Sequence, residues 1–462
     1  MLIYRALRKF LRFVARVFFR DVDVVGLEHV PDEGAGAVIF VGNHPNSLID
    51  PVLMIAFSGR IMHFAAKDTL FQSRLLRLFL RPLGAVPVAR RADHADGATA
   101  LANDLAFESM WGVLAKGRAI GVFPEGLSHD GAEIARLKTG AARIALGFAA
   151  RHPDAPLRIV PCGLTYVRRK RFRSRALIQF GAPLSIDAER SAAFAKDDRD
   201  AVRSLTADIE TALRALTVNA PDWETLRVLD GVRRLYQPPN VSLPDRVELQ
   251  RRFTTVYQTV KNEPIVADLF ARVAAYIDRL RESGLTDRDL RRTAAPRDAA
   301  WRVLRHLVLI LVWVPLALPG AVLNAPVGIL AVWAGQNLTP RKDVIATTKL
   351  IAGLFGSFLV YVAMIVATAY WGDAAFAVLA AVAIPVTGIA TLRVLDRGPL
   401  LIRWFRTFAR LLNLHDEIAA LRAERAELEA DVVAAVDRFR PADMIPLFPR
   451  GAAASNPPRP PA

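Results

Sequence analysis

Three long stretches of this chain carry no charged side chain. Leu307 to Pro340, Leu350 to Gly372 and Ala374 to Leu392 each lack Asp, Glu, Lys and Arg. A helix needs roughly 20 mainly apolar residues to cross a bilayer, and buried helices of soluble proteins rarely run so far uncharged. Residues 301–395 are therefore expected to form transmembrane hairpins. The first stretch holds Pro315, Pro319, Pro326 and Pro340, and "PGAVLNAP" reads as a break. It is expected to enter the membrane and return. The other two pair about "WGDAA". Arg302, Arg305, Arg341, Lys342, Lys349, Arg393 and Arg397 flank the stretches, and neither turn holds a Lys or Arg. Basic flanks collect on the cytoplasmic side, which predicts a multi-pass protein with its remaining domains there.

The charge balance agrees with a lipid environment. Lys and Arg exceed Asp and Glu by 16, and hydrophobic residues make up 53%, above the roughly 45–50% of ordinary globular chains. Basic residues beside apolar runs favour an anionic membrane surface over nucleic acid, for which no signature is present. A single cysteine, Cys162, excludes an intrachain disulfide and suits a reducing compartment. No cleavable signal peptide is expected by pattern. Residues 1–20 instead place Arg5, Arg8, Lys9, Arg12, Arg16 and Arg20 at helical spacing, opposite an apolar face. This predicts a basic amphipathic helix on the membrane surface, the alternative being a helix packed on its own domain.

Between 21 and 186 short apolar runs alternate with helical patterns. Strands are expected at 21–26, 36–41, 60–66, 84–89, 119–124, 158–166 and 175–181, with a helix over 96–116 closed by Gly117. That alternation predicts an α/β domain with a mixed sheet covered by helices. Residues 187–300 read as a helical subdomain and 396–445 as a helical segment, either a short coiled coil or a hairpin interrupted at Arg425. Residues 446–462 are disordered by composition.

Four polar segments interrupt the α/β pattern. They are "NHPNSLID" (43–50), "LGAVPVARRAD" (83–93), "VFPEGLSHD" (122–130) and "IVPCG" (159–163). On residue chemistry, His44 suits a general base near neutral pH. Asp50 suits the carboxylate that orients such a ring, or else merely starts a helix. Ser47 and Ser128 read as turn or hydrogen-bonding residues. His63, His94 and His129 match no metal-ligand spacing, so no catalytic metal is expected.

The order and content of the four segments resemble the glycerolipid acyltransferase family, the PlsC-like acyltransferases, over about 35–185. The "LKTGAARIAL" and "KRFRSRALIQFG" segments and the long hydrophobic C-terminal half look like the fungal-type glycerol-3-phosphate/dihydroxyacetone-phosphate branch and its bacterial relatives. His44 and Asp50 enclose five residues where the general family has four, and Pro87 replaces an aromatic. Both departures look like that branch.

The resemblance implies an α/β acyltransferase domain and transfer of an acyl group to glycerol 3-phosphate or dihydroxyacetone phosphate. Acylation of lysophosphatidate or another lysophospholipid is the alternative. A membrane scaffold or non-catalytic lipid-binding protein is the rival of another class. His44 and Asp50 would be catalytic. Arg90 would bind phosphate, helped by Lys138. Glu125 and Gly126 would position the glycerol moiety, Gly84 would belong to the same site, and Pro161 would border the acyl path. For Glu125 the bland reading is a turn carboxylate, and for Pro161 a bent strand. The resemblance implies no cofactor, with acyl-CoA or acyl carrier protein as the donor substrate and the lipid bilayer as partner.

Overall fold

The computed structural model describes residues 2–67, 72, 84–88, 98–291, 296–339, 341–413 and 415–448. The chain divides into two compact units, Met1–Thr217 with Val308–Gly398, and Val218–Leu307 with Pro399–Ala462.

The first unit opens with α1 (Leu2–Phe18) and β1 (Phe19–Val25). Then follow β2 (Ala37–Gly42), α2 (Ile49–Phe57), β3 (Met62–Lys67), β4 (Val86–Val88), α3 (Ala98–Leu114) and β5 (Ala119–Val122). Next come α4 (Gly140–Arg151), β6 (Leu157–Tyr166), β7 (Ser174–Phe180), β8 (Leu184–Ser185), α5 (Ala188–Lys196) and α6 (Asp198–Arg214). The strands form one sheet in the order β1-β7-β6-β2-β5-β3-β4, with β8 beside β6. Neighbours are parallel except where β6 meets β7 and β8. This is the mixed, helix-covered sheet expected from the sequence, with β8 as an added strand.

The strand period of two explains the layers. Along β2, Val38 and Phe40 enter a core shared with Leu53 and Met54 of α2 and with Phe18 and Phe19. Ala37, Ile39 and Val41 face a second core built from α3, α4 and α6. With both faces covered, β2 is apolar throughout. Val202, Leu205, Ile209 and Leu213 of α6 belong to that second core, so the unit extends to 217 rather than stopping at 186.

Helix α1 packs one face on its own domain. Tyr4, Val14, Ala15 and Phe18 are buried. The Tyr4 hydroxyl accepts from Met62 N at 2.8 Å. Arg12 Nη2 donates to Ala56 O at 2.8 Å. Ile3, Phe10 and Phe13 remain exposed.

The apolar helices are α11 (Pro296–Asn337), α12 (Ile345–Trp371) and α13 (Ala374–Asn413). Their segments 304–337, 345–371 and 374–398 are long and apolar enough to cross a membrane, and their most apolar windows are only 11%, 0% and 17% buried. Such surface needs a lipid solvent, and the chain is a membrane protein. The expected break at "PGAVLNAP" is not a turn: α11 runs through Pro315, Pro319 and Pro326. A proline removes one backbone donor and clashes with the preceding turn, which bends a helix without ending it where neighbours support it. Those neighbours are close. A Cβ on Gly320 would lie 2.3 Å from Thr387 of α13, and Thr391 Oγ1 donates to Ala317 O at 2.8 Å. Tyr361 of α12 donates to Asn324 Oδ1 at 3.2 Å. Small residues and polar contacts of this kind hold membrane helices together.

The second unit contains α7 (Trp223–Tyr236), α8 (Leu243–Val260), α9 (Pro264–Glu282), α10 (Asp287–Leu290) and α14 (His415–Phe439). Asp222 and Ser242 cap α7 and α8. Ile418, Leu421, Leu428 and Val432 of α14 pack with Leu269, Val273 and Tyr276. The hairpin alternative is therefore corrected to one continuous helix. Arg425 does not interrupt it, because its buried guanidinium pairs with Asp287 at 2.9 Å and with Glu429.

Candidate active site

Strands β5, β2 and β6 lie side by side and parallel. Their carboxyl ends open on one edge of the sheet, where α/β folds bind ligands. The loop after β2 is pinned there by Asn43, whose Nδ2 donates to Leu164 O at 3.0 Å and whose Oδ1 accepts from Leu164 N at 2.7 Å. Ser47, with φ 49° in the left-handed region, turns the chain into α2.

That turn brings His44 and Asp50 together. His44 Nδ1 lies 2.8 Å from Asp50 Oδ2. The carboxylate is fully buried, sits in the first turn of α2 and accepts from Asn46 N at 2.7 Å. The Tyr166 hydroxyl, at the end of β6, donates to Asp50 Oδ1 at 2.5 Å. Burial and the facing carboxylate push the Tyr166 pKa well up, so this hydroxyl stays a neutral donor. The imidazole stacks on Phe123 with centroids 4.0 Å apart and planes 9° apart, and Phe64 stacks behind Phe123 at 5.6 Å. A carboxylate on Nδ1 fixes the proton there and leaves Nε2 to accept one.

The third motif follows β5. Glu125 is buried, and both its oxygens are used. Oε1 accepts from His44 N at 2.7 Å. Oε2 accepts from Ala135 N at 2.7 Å and meets His129 Nε2. Its carboxylate thus braces the turn after β5. The bond to Glu125 raises the His129 pKa above its usual range against a smaller lowering by burial. Gly126 has φ +72°, and a Cβ there would lie 2.6 Å from Lys138 Nζ. Glycine thus allows both the turn and the lysine beside it. Ser128 hydrogen-bonds Asp343 through its hydroxyl and accepts from Arg341 Nη2 through its carbonyl at 2.7 Å. Thr347 Oγ1 reaches Asn46 O at 3.4 Å. The segment between α11 and α12 is thereby fastened to two site loops.

Gly84, with φ +68°, packs on His63, whose Nδ1 is 3.1 Å from its carbonyl. Pro161 is buried within β6, opposite Val41, and its carbonyl accepts from Gly181 N at 2.9 Å. Arg90 and His94 lie outside the described residues. Among the described residues no group of His, Cys, Asp and Glu is arranged to hold a metal. Sequence reasoning passed over Tyr166, Asn43, Asn46 and Asp343, and weighed His129 only as a metal ligand. The signal for Tyr166 was its place at the C-terminal end of a strand flanking the histidine loop.

With this geometry in view, residues 21–165 match the acyltransferase family model. Residues 228–444 match the glycerol-3-phosphate acyltransferase 2 C-terminal domain. The chain is similar to glycerol-3-phosphate O-acyltransferase 1 of Saccharomyces cerevisiae, with 35% identity over 276 residues, 56% of this chain and 36% of that protein. An uncharacterized acyltransferase of Schizosaccharomyces pombe is 37% identical over 260 residues, 52% of this chain and 38% of the relative. Glycerol-3-phosphate O-acyltransferase 2 of Saccharomyces cerevisiae is 26% identical over 462 residues, covering 75% and 62%. The chain thus spans between about a third and two thirds of the length of these yeast relatives. The crystal structure of the 1-acyl-sn-glycerophosphate acyltransferase PlsC from Thermotoga maritima aligns with TM-score 0.32 and 21% identity, over 45% of this chain and 80% of that one. The acyltransferase domain contains the His44–Asp50 pair, the Glu125 brace and most of β6.

Proposed function

We propose that this protein transfers a fatty acyl group from acyl-CoA to a hydroxyl of glycerol 3-phosphate or dihydroxyacetone phosphate, at a membrane surface. The observation that carries the reading is the His44 ring held between Asp50 and Phe123 at the sheet edge. A protonated alcohol is a poor nucleophile, so a base must take its proton during attack. The acceptor hydroxyl gives its proton to His44 Nε2 as its oxygen adds to the thioester carbonyl carbon. Asp50 keeps the Nδ1 proton in place and offsets the imidazolium charge. The tetrahedral intermediate then collapses, the C–S bond breaks, and the departing thiolate takes the proton from His44. No protein nucleophile is needed, in keeping with Ser128 being engaged by Asp343. Lys138 beside Gly126 supplies a cation for the acceptor phosphate, and Arg90 does so by resemblance.

The protein is read as multi-pass with the acyltransferase domain cytoplasmic. Arg341 on Ser128 and Asp396 on Arg173 tie the flanks of α12 and α13 to that domain, so these helices go out and back around Asp373. Gly335 packs against Lys349, and Trp313 lies 5.3 Å under Arg393. Both parts of α11 therefore sit near basic flanks, which supports a bent helix over one straight span. Offering the purified full chain glycerol 3-phosphate, dihydroxyacetone phosphate and lysophosphatidate in parallel, with labelled acyl-CoA, tests the reading. Preferred acylation of either of the first two is expected. Preferred acylation of lysophosphatidate would overturn the acceptor assignment, and no transfer to any would overturn the reaction.

A further inference from the structure

A cavity of about 510 Å³ lies between the end of α1 and the end of the apolar part of α13. Its size falls within the roughly 300–1,000 Å³ of small-ligand sites. Five guanidinium groups line it, from Arg16, Arg20, Arg173, Arg393 and Arg397, against two carboxylates, Asp21 and Asp396. The acids are already paired. Asp396 is held by Arg173 through Nε at 2.8 Å and again through Nη2. Asp21 lies 3.2 Å from Arg20 and 3.4 Å from Arg175. Among the described residues, Arg16, Arg393 and Arg397 have no carboxylate partner. Arg173 also donates to Arg16 O at 2.8 Å and Val17 O at 2.9 Å, which fixes the floor of the cavity.

The rest of the lining is apolar: Phe13, Val17, Ile389 and Leu392. Ile389 and Leu392 end the uncharged stretch of α13, and Arg393 is the first charge after it. That places the arginines where a membrane helix leaves the hydrocarbon and meets the headgroups. An occupant meets three cations that no carboxylate neutralises, and it lies against apolar walls. An anionic phosphate on a pair of acyl chains does both, whereas a soluble phosphate does only the first. We infer that this cavity binds the phosphate headgroup of an anionic membrane phospholipid, with Arg16, Arg393 and Arg397 on the phosphate and the acyl chains running along Phe13 and Ile389. The site is separate from the His44 centre and does not depend on acyl transfer.

The test uses native mass spectrometry of the full chain in neutral detergent. Phosphatidylglycerol and phosphatidylcholine are offered together, with and without free CoA. The wild type is expected to retain phosphatidylglycerol preferentially, and free CoA is expected to leave it bound. In Arg16→Gln/Arg393→Gln/Arg397→Gln the preference should fall by about tenfold or more, since each surface cation contributes a substantial share of anionic-lipid attraction. The triple lysine variant should keep much of it. Should the glutamine triple lose helicity by circular dichroism, the exposed single change Arg16→Gln decides, with a smaller fall expected. Equal retention by wild type and variant, no wild-type preference, or displacement of the lipid by free CoA would each overturn the proposal.

Discussion

The Tyr166 hydroxyl donates to Asp50 Oδ1 at 2.5 Å, and through that carboxylate it sets the geometry of His44. A buried carboxylate that loses a donor bears the cost of an unmet acceptor, about 1–3 kcal/mol. Tyr166→Phe should lower kcat several-fold with little change in KM, because Tyr166 supports the base without touching substrate. Steady-state kinetics and thermal unfolding in detergent check both effects. A change confined to KM would place Tyr166 against the substrate instead.

Glu125 joins His44 N, Ala135 N and His129. This bond raises the His129 pKa in the folded protein above that of a free histidine. A raised pKa stabilises the fold fully below the unfolded value and loses that contribution as pH rises through the folded one. Stability of the loop should therefore decline from about pH 6.5 upward, and His129→Gln should flatten that decline. Unfolding midpoints across pH, with and without the substitution, measure it. Equal slopes for the two proteins would remove His129 from the brace.

Gly126→Ala should cost about 1–2 kcal/mol, because φ +72° is strained for a residue with a Cβ. The new methyl also displaces Lys138 Nζ, so KM for the phosphorylated acceptor should rise with it. Lys138→Met should reproduce the KM effect without the loss of stability. Unchanged KM in both variants would take Lys138 out of the phosphate site.

Cysteine labelling checks the membrane path. After Cys162→Ala, a single cysteine at Asp373 should react from outside and one at Lys342 from the cytoplasm. Lys342 belongs with the Arg341–Asp343 segment that grips Ser128. External labelling at Lys342 would contradict the cytoplasmic placement of the domain.

Much of the α/β domain was legible because a strand buried on both faces must be continuously apolar, as β2 is. The histidine loop was legible as polar residues with no place in a core. Its partners were harder to read, because Tyr166 lies 116 residues from Asp50 and meets it only through the β2–β6 register. Asp343 lies 215 residues from Ser128, a separation that no local pattern bridges. A break was expected at the prolines of α11 because prolines end isolated helices, while the packing of Gly320 on Thr387 keeps this one helical there. Arg425 suggested a break in α14 until Asp287, distant in sequence, supplied its counter-charge.

The central claim is that His44 is the base for acyl transfer, and the rate of acyl transfer by purified His44→Ala tests it most directly. With protein folded and membrane-inserted as the wild type is, transfer should fall by roughly 10²–10⁴-fold or more, and Asp50→Asn should fall nearly as far. Transfer by His44→Ala within a few-fold of wild type would contradict the account.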